Sequence, residues 1–376
     1  EAQAHSQVLT NKIKSLIQTK GGKLSFAEFM QQALYAPGLG YYNSGTSKFG
    51  HDGDFITAPE LGSLFAKCVA IQCAEILTNN SINTILEIGA GSGQLACDLL
   101  KFLAQQNIKL QNYLILELSA DLRLRQQQKI LQECPEYFPL VQWLDKLPEV
   151  AINAVIIANE VLDAMPVTRF NFSAGLLQEY CVMINNDAFA YTLQPPSTQL
   201  HQAFDQAELA LYFKELNTPY VSEFNLWLPA WIKSLSECLQ RGAILLFDYG
   251  FPRTEYYHPQ RNTGTLMCHY RHHAHPDPFF YPGLQDITAH VDFSAVAAAA
   301  NANHLHCSGY TNLASFLINC GIIELMQQQQ NRSQIQEFNI LCSPAEMGEL
   351  FKVMVLTKEI DGALTGFSNF SKLHSL

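Results

Sequence analysis

Charge is scarce in this 376-residue sequence, and what there is leans one way. Only 15% of residues are Asp, Glu, Lys or Arg, and 23 basic residues stand against 34 acidic ones, a formal charge of −11. Nonspecific grip on nucleic acid comes from Lys and Arg neutralising phosphates, so the balance speaks against a nucleic-acid partner; it reads as acidity kept for solubility or as a surface suited to a basic partner. Low charge combined with 48% hydrophobic residues also excludes disorder over most of the length and supports a sizeable core. No CxxC pair occurs among the ten cysteines. Several fall in apolar helical patterns, such as Cys68 and Cys73 in FAKCVAIQCAEIL, so reduced buried thiols are expected rather than disulfides or zinc. No stretch approaches the roughly 18 consecutive apolar residues of a membrane span, so no membrane insertion is expected. The opening EAQAHSQVLTNKIKSLI lacks a basic region followed by an apolar one, so it does not read as a secretory signal. Internal repeats are absent as well.

What is present is alternation. Val8 to Gln18 is apolar at helical spacing, Gly21-Gly22 stops that helix, and Ser25 with Glu28 reads as a capping box opening FAEFMQQALY. A glycine- and aromatic-rich loop then leads to a helix from about Leu61 to Leu77. From Asn83 to Phe247, short apolar runs (INTILEIG, NYLILEL, PLVQW, NAVIIANE, GAILLFDYG) alternate with amphipathic helices. Buried strands separated by helices predict an α/β fold, a Rossmann-like parallel sheet with helices on both faces. QEYCVMINNDAFAYTL breaks this pattern and reads as a hairpin. The predicted division is N-terminal helices and a covering loop over 1–80, a core over 81–166 and 242–376 with C-terminal helical additions, and an inserted hairpin and helical subdomain over 167–241. FKVMVLTK reads as a final strand.

The segment Glu87-Ile88-Gly89-Ala90-Gly91-Ser92-Gly93 joins the first core strand to a helix. Glycines let the backbone turn sharply and approach a ligand closely. The spacing is G-x-G-x-G, whereas dinucleotide sites use G-x-G-x-x-G, and the acidic residue two places before the first glycine is more usual in S-adenosylmethionine binders. Glu87 can organise an ammonium group directly or through water. Glu117, 26 residues beyond Gly91 at the end of the next strand, can accept both hydroxyls of a ribose. Trp143 and Leu144, ending the third strand, are placed to sandwich an adenine.

The fourth strand runs into Asn159-Glu160-Val161-Leu162-Asp163-Ala164-Met165-Pro166, and polar groups at a strand's carboxyl end overhang the ligand crevice. Glu160 can hold a guanidinium by paired hydrogen bonds. Asp163 reads either as a second carboxylate or as a helix N-cap. His290, within DITAHVDF, reads as a substrate-positioning group, a proton acceptor or a structural histidine. In GDFITAPE, Thr57 and Pro59 also read as helix-starting chemistry. The run from His269 to Asp277 has no helical pairing of ligands and no partnering cysteine, so no metal site is expected.

FAEFMQQALYAPGLGYY, GHDGDFITAPE, LEIGAGSGQLACDLL, ANEVLDAMPV, LLFDYG, GTLMCHYRHH, GLQDITAHVDFSAV and EMGELFKV, in this order, resemble the MidA-like family over nearly the whole chain. The family resembles S-adenosylmethionine-dependent methyltransferases and includes mitochondrial complex I assembly factors and bacterial proteins. The resemblance implies a Rossmann-like methyltransferase with an inserted subdomain, methylating an arginine on a protein such as a respiratory complex I subunit or a bacterial equivalent. It places the chain in the bacterial cytoplasm or the mitochondrial matrix. It implies that Gly89, Gly91, Gly93 and Glu117 hold cofactor, that Gly53 and Thr57 close over it, that Asn159, Glu160 and Asp163 line the methyl-transfer side, and that His290 with Asp292 approaches from the C-terminal part. Met165 and Met267 depart from the family pattern, which has leucine and arginine there. Two further readings stay open: an assembly or chaperone-like binding protein with S-adenosylmethionine as regulatory ligand, and a small-molecule methyltransferase.

Overall fold

Apolar runs without a polar face must be covered on both sides, and the computed structural model, which describes residues 2–44, 57–216, 218–328 and 331–376, shows what covers them. Seven strands form the main sheet: β1 (Thr84–Ile88), β2 (Asn112–Leu116), β3 (Val141–Leu144), β4 (Ile152–Asn159), β5 (Leu239–Phe251), β6 (His306–Asn312) and β7 (Phe351–Lys358). Their spatial order is β6-β7-β5-β4-β1-β2-β3, and a two-residue strand, Val291–Asp292, pairs with the end of β5. Pairing from β3 through β5 is parallel, whereas β7 runs antiparallel to both β5 and β6. Alternate side chains leave by opposite faces. In β4, Val155 and Ile157 enter one apolar cluster and Ala154, Ile156 and Ala158 the other; in β5, Leu245 and Phe247 oppose Ile244 and Leu246. Helices Leu64–Asn79, Gln94–Gln105 and Leu313–Asn319 cover the first face, and Leu228–Cys238 with Phe293–Ala302 covers the second. Phe247 sits edge-on between Phe65 and Phe316 at 5.3 and 5.4 Å. Each such ring contributes about 1.5–3 kcal/mol by leaving water.

A second sheet runs Lys23–Ser25, Leu176–Asn185, Thr168–Ser173, Tyr220–Phe224, with Ala188–Gln194 closing a hairpin onto Leu176–Asn185. Its strands are antiparallel. Helices Ala2–Thr19 and Phe26–Tyr35 pack on it through Leu9, Ile13, Phe26 and Phe29, together with Val182, Cys268 and Ile287. The capping box expected at Ser25 and Glu28 is present.

Helix Leu64–Asn79 packs in the apolar cluster on the first face of the main sheet, and Leu228–Cys238 in the cluster on the second. An amphipathic helix has the same sequence pattern whichever sheet it covers. Lys23–Ser25 pairs with Leu176–Asn185, so the N-terminal segment and the insertion share one sheet across 150 residues of sequence.

Candidate active site

The carboxyl ends of β1, β2 and β4 lie in register: Ile88 pairs with Leu116 and with Ala158. Above this edge opens a cavity of about 1080 Å³. Gly89, Gly91 and Gly93 carry φ of +67°, +52° and +86°, the left-handed region where a side chain is strained. Gly89 and Gly91 line the cavity. Gly93 turns the chain into helix Gln94–Gln105, away from the lining. A Cβ at Gly89 would stand 3.2 Å from Val161 Cγ2, so the loop is close-packed as well as sharply turned. Glu87, two residues earlier and 3% exposed, also lines the cavity and accepts 2.6 Å from the Tyr113 hydroxyl. Burial pushes its carboxyl up to about 7; the Tyr113 bond opposes the rise and the Glu117 charge adds to it.

Glu117 follows β2 and faces the cavity, with its carboxylate accepting from Ser119 N at 2.9 Å and Gln126 Nε2 at 3.0 Å. Gln126 is a residue the sequence reading missed. Fully buried on helix Ala120–Glu133, it donates also to Gly91 O at 2.9 Å and accepts from Trp143 Nε1 at 3.0 Å. It ties the glycine loop, the acid after β2 and the end of β3 into one framework. Trp143 therefore stands behind the cavity, tilted against Phe138, and neither it nor Leu144 is part of the lining; the exposed Leu118 is. The signal for Gln126 is faint: one apolar-face glutamine in the run Gln126-Gln127-Gln128.

At the other end, β4 delivers Asn159, Glu160 and Asp163 to the cavity wall. Glu160 adopts φ of +52°, and its N–H donates to Phe247 O at 2.9 Å. A non-glycine residue held there costs about 1–3 kcal/mol, and the neighbouring strand over-determines it. Asn159 Nδ2 donates to Glu160 Oε1 at 3.2 Å. Burial pushes the Glu160 carboxyl up to about 8, the Asp163 charge adding to the rise, against the Asn159 and Ala58 N–H bonds. Asp163 is no helix cap, since 160–167 forms a turn without a helix. Behind the turn, Asp248 of β5 accepts from the N–H groups of Leu162 and Asp163 at 2.9 and 3.2 Å and fixes its shape. Burial raises both Asp163 and Asp248.

Thr57 lines the cavity, at the N-cap of the turn Ala58–Leu61, with Pro59 inside it. From this turn Glu60 accepts from the Ser92 hydroxyl, joining it to the glycine loop. Gly53 lies outside the described residues. His290 does not reach this cavity. Its ring is held edge-on by Tyr249 and Phe251 beside a separate small space of about 30 Å³ that Asp292 also lines, and burial, with the Arg261 and Lys352 charges, lowers it to about 4. Asp292 caps helix Phe293–Ala302 and pairs with Arg253 at 3.1 Å, a structural duty. From that segment it is Asp286, four residues before His290, that lines the cavity, together with Tyr35 and Tyr42 of the N-terminal part. Among the described residues no His/Cys/Asp/Glu group is arranged for a metal, the His269–Asp277 run included, and no helix is long and apolar enough to cross a membrane.

Every charged side chain on the described wall is acidic: Glu60, Glu87, Glu117, Asp121, Glu160, Asp163 and Asp286. Buried carboxylates persist when cations answer them. The wall thus fits a cationic ligand carrying a ribose, with a glycine cradle at its middle, and S-adenosylmethionine has those features. The comparisons with known proteins agree. Residues 68–311 match a family described as "Putative S-adenosyl-L-methionine-dependent methyltransferase". A crystal structure from Burkholderia thailandensis, bound to S-adenosyl-homocysteine, is 41% identical with a TM-score of 0.93, over 100% of this chain and 98% of that one. "Protein arginine methyltransferase NDUFAF7, mitochondrial" from Homo sapiens is 27% identical over 385 residues, 93% of this chain and 82% of that protein. Its Drosophila melanogaster homolog is 28% identical over 369 residues, 89% of this chain and 82% of that protein. Fold, cradle and relatives converge: the chain belongs to this family and is an S-adenosylmethionine-dependent methyltransferase.

Proposed function

We propose that the acceptor is an arginine side chain of a protein, and that the acid-only wall at the end of β4 selects it. The observation that carries this reading is Glu160, half-buried beside Asp163 with no basic residue on the described wall. A planar guanidinium offers five N–H donors in a fork that matches carboxylates. The relatives named as arginine methyltransferases support it. In this reading Gly89 and Gly91 admit the cofactor, Gly93 sets the helix behind them, Glu87 faces its ammonium group, Glu117 takes the ribose hydroxyls, and Leu118 supplies an apolar surface for the base. Thr57 and Asn159 complete the wall.

When bound, the cofactor supplies a methyl group made electrophilic by its sulfonium. The chain's contribution is alignment and charge. Glu160 holds the guanidinium so that one terminal nitrogen faces the methyl carbon. As the N–C bond forms, the C–S electron pair leaves with sulfur, and the surplus N–H proton passes to Glu160. A carboxylate whose environment raises its proton affinity is suited to that transfer. The finer setting, a respiratory complex I subunit or bacterial counterpart in the matrix or cytoplasm, rests on the family resemblance and on the mitochondrial names of the relatives.

The test is incubation with methyl-labelled cofactor and a cognate cell extract, followed by mass spectrometry of the labelled proteins. Label on arginine nitrogen is expected. Label confined to lysine, carboxylates or small molecules would refute the arginine reading.

A further inference from the structure

We propose that Asp286, held by Tyr42, is a second substrate-positioning carboxylate that grips the acceptor cation together with Glu160. The inference rests on the cationic-acceptor reading above and extends it to residues from two remote parts of the chain.

Asp286 opens the short strand Asp286–Thr288, is 2% exposed, and lines the cavity shared with Glu160 and Asp163. Its Oδ1 accepts from the Tyr42 hydroxyl and from Ile287 N, each at 3.0 Å. Tyr42 in turn stacks on Tyr35, with ring centroids 5.5 Å apart and planes at 22°, and the Tyr35 hydroxyl donates to Ala164 O at 2.8 Å. Two tyrosines thus link Asp286 to Ala164, the residue next to Asp163. Bonds that fix a carboxylate's direction make it a positioning group as well as a charge.

A separate observation points to a ligand. Asp163 is 4% exposed and lines the cavity; the Tyr249 hydroxyl and the Ala164 N–H act on its carboxylate, and its Oδ1 keeps no hydrogen bond of its own among the described residues. A buried acceptor oxygen left over after those contacts gains from a donor outside the chain. No Lys, Arg or His of the described wall supplies one. A guanidinium can donate to Glu160 and Asp286 while leaving an N–H for Asp163; an ammonium has three donors and no plane to match.

The experiment is calorimetric titration of the protein, saturated with S-adenosyl-homocysteine, with ethylguanidinium, ethylammonium and uncharged ethylurea. Wild type is expected to bind ethylguanidinium and not ethylurea. Asp286→Asn is expected to weaken that binding by about tenfold or more, with S-adenosyl-homocysteine affinity unchanged. Equal ethylguanidinium affinity in the two proteins overturns the role of Asp286 and leaves the arginine reading standing. Binding of ethylammonium without ethylguanidinium overturns the arginine reading, and the loss or retention of ethylammonium binding in Asp286→Asn then decides Asp286. Binding of neither cation overturns both. Should Asp286→Asn fail to fold, Tyr42→Phe decides: a several-fold loss of the same probe supports the proposal, and no loss overturns it.

Discussion

Glu160 combines three features at one position: a left-handed backbone, a raised proton affinity and a place on the cavity wall. Glu160→Gln keeps size and the Asn159 neighbour but removes charge and proton acceptance. Methyl transfer is expected to fall about 10²- to 10⁴-fold, while cofactor affinity stays within about twofold. Single-turnover transfer beside calorimetric cofactor binding separates the two effects, and a fully active variant removes Glu160 from the chemistry. Glu87 governs pH. Its carboxyl is raised to about 7, so the free protein holds this proton below that value, whereas a bound ammonium or sulfonium favours the ionised form. Cofactor binding below that value therefore releases a proton, and affinity is expected to rise with pH by up to tenfold per unit below about 7 and to level off above it. Calorimetry in buffers of different ionisation enthalpy detects the proton, and Glu87→Gln should flatten the profile. At this scale the sequence was readable where a residue's type and strand position coincide, as for Glu87, Glu117 and Glu160. It misdirected at His290, because a spacing of four along a strand-and-turn segment decides which side chain enters the cavity, and that depends on the pairing of Asp286–Thr288 with Met267–Tyr270.

Helix Ala120–Glu133 works as a unit with the glycine loop. Its Gln126 bonds to Gly91 O, Glu117 and Trp143, so Gln126→Leu strands several buried polar groups at once. With each unsatisfied group costing about 1–3 kcal/mol, the variant should lose cofactor affinity by about 10- to 100-fold and melt at lower temperature. Unchanged affinity with a lowered melting point would make Gln126 a purely structural tie. Gly91→Val tests the loop itself: at φ of +52°, facing the cavity, valine is strained and fills ligand space, so binding should vanish while far-UV dichroism stays native. The glycine loop and its strand were legible because backbone geometry demands glycine there. Gln126 was not, because a single polar residue on the buried stripe of a helix carries no periodic signature, and the strand-end position of Trp143 does not reveal that its indole N–H turns to Gln126.

For the molecule as a whole, apolar periodicity set out six of the seven strands of the main sheet; it left hidden His306–Asn312, whose run HCSGYTN has no apolar period, and the joining of distant segments. Tyr35 and Tyr42 reach the cavity because the N-terminal helices share a sheet and a core with the insertion, through Lys23–Ser25 and the cluster of Leu9, Val182 and Ile287. No local pattern records a contact across that span of sequence. The same assembly concentrates charge of one sign: a chain of net charge −11 gathers seven carboxylates, and among its described residues no base, on one wall. Such a field draws cations toward the cavity mouth and is weakened by salt. Raising ionic strength from about 0.05 to 0.5 M shortens the screening length from roughly 14 to 4 Å. With cofactor saturating, kcat/KM for an arginine-bearing protein should fall about tenfold over this range, through KM, with kcat preserved. Stopped assays across a salt series measure both parameters. A salt-independent KM would mean that capture is governed by apolar contacts at the mouth, where Trp227 and Trp231 line the wall, rather than by the acidic field. A fall in kcat would mean instead that salt disturbs the fixed carboxylates themselves, which burial should prevent.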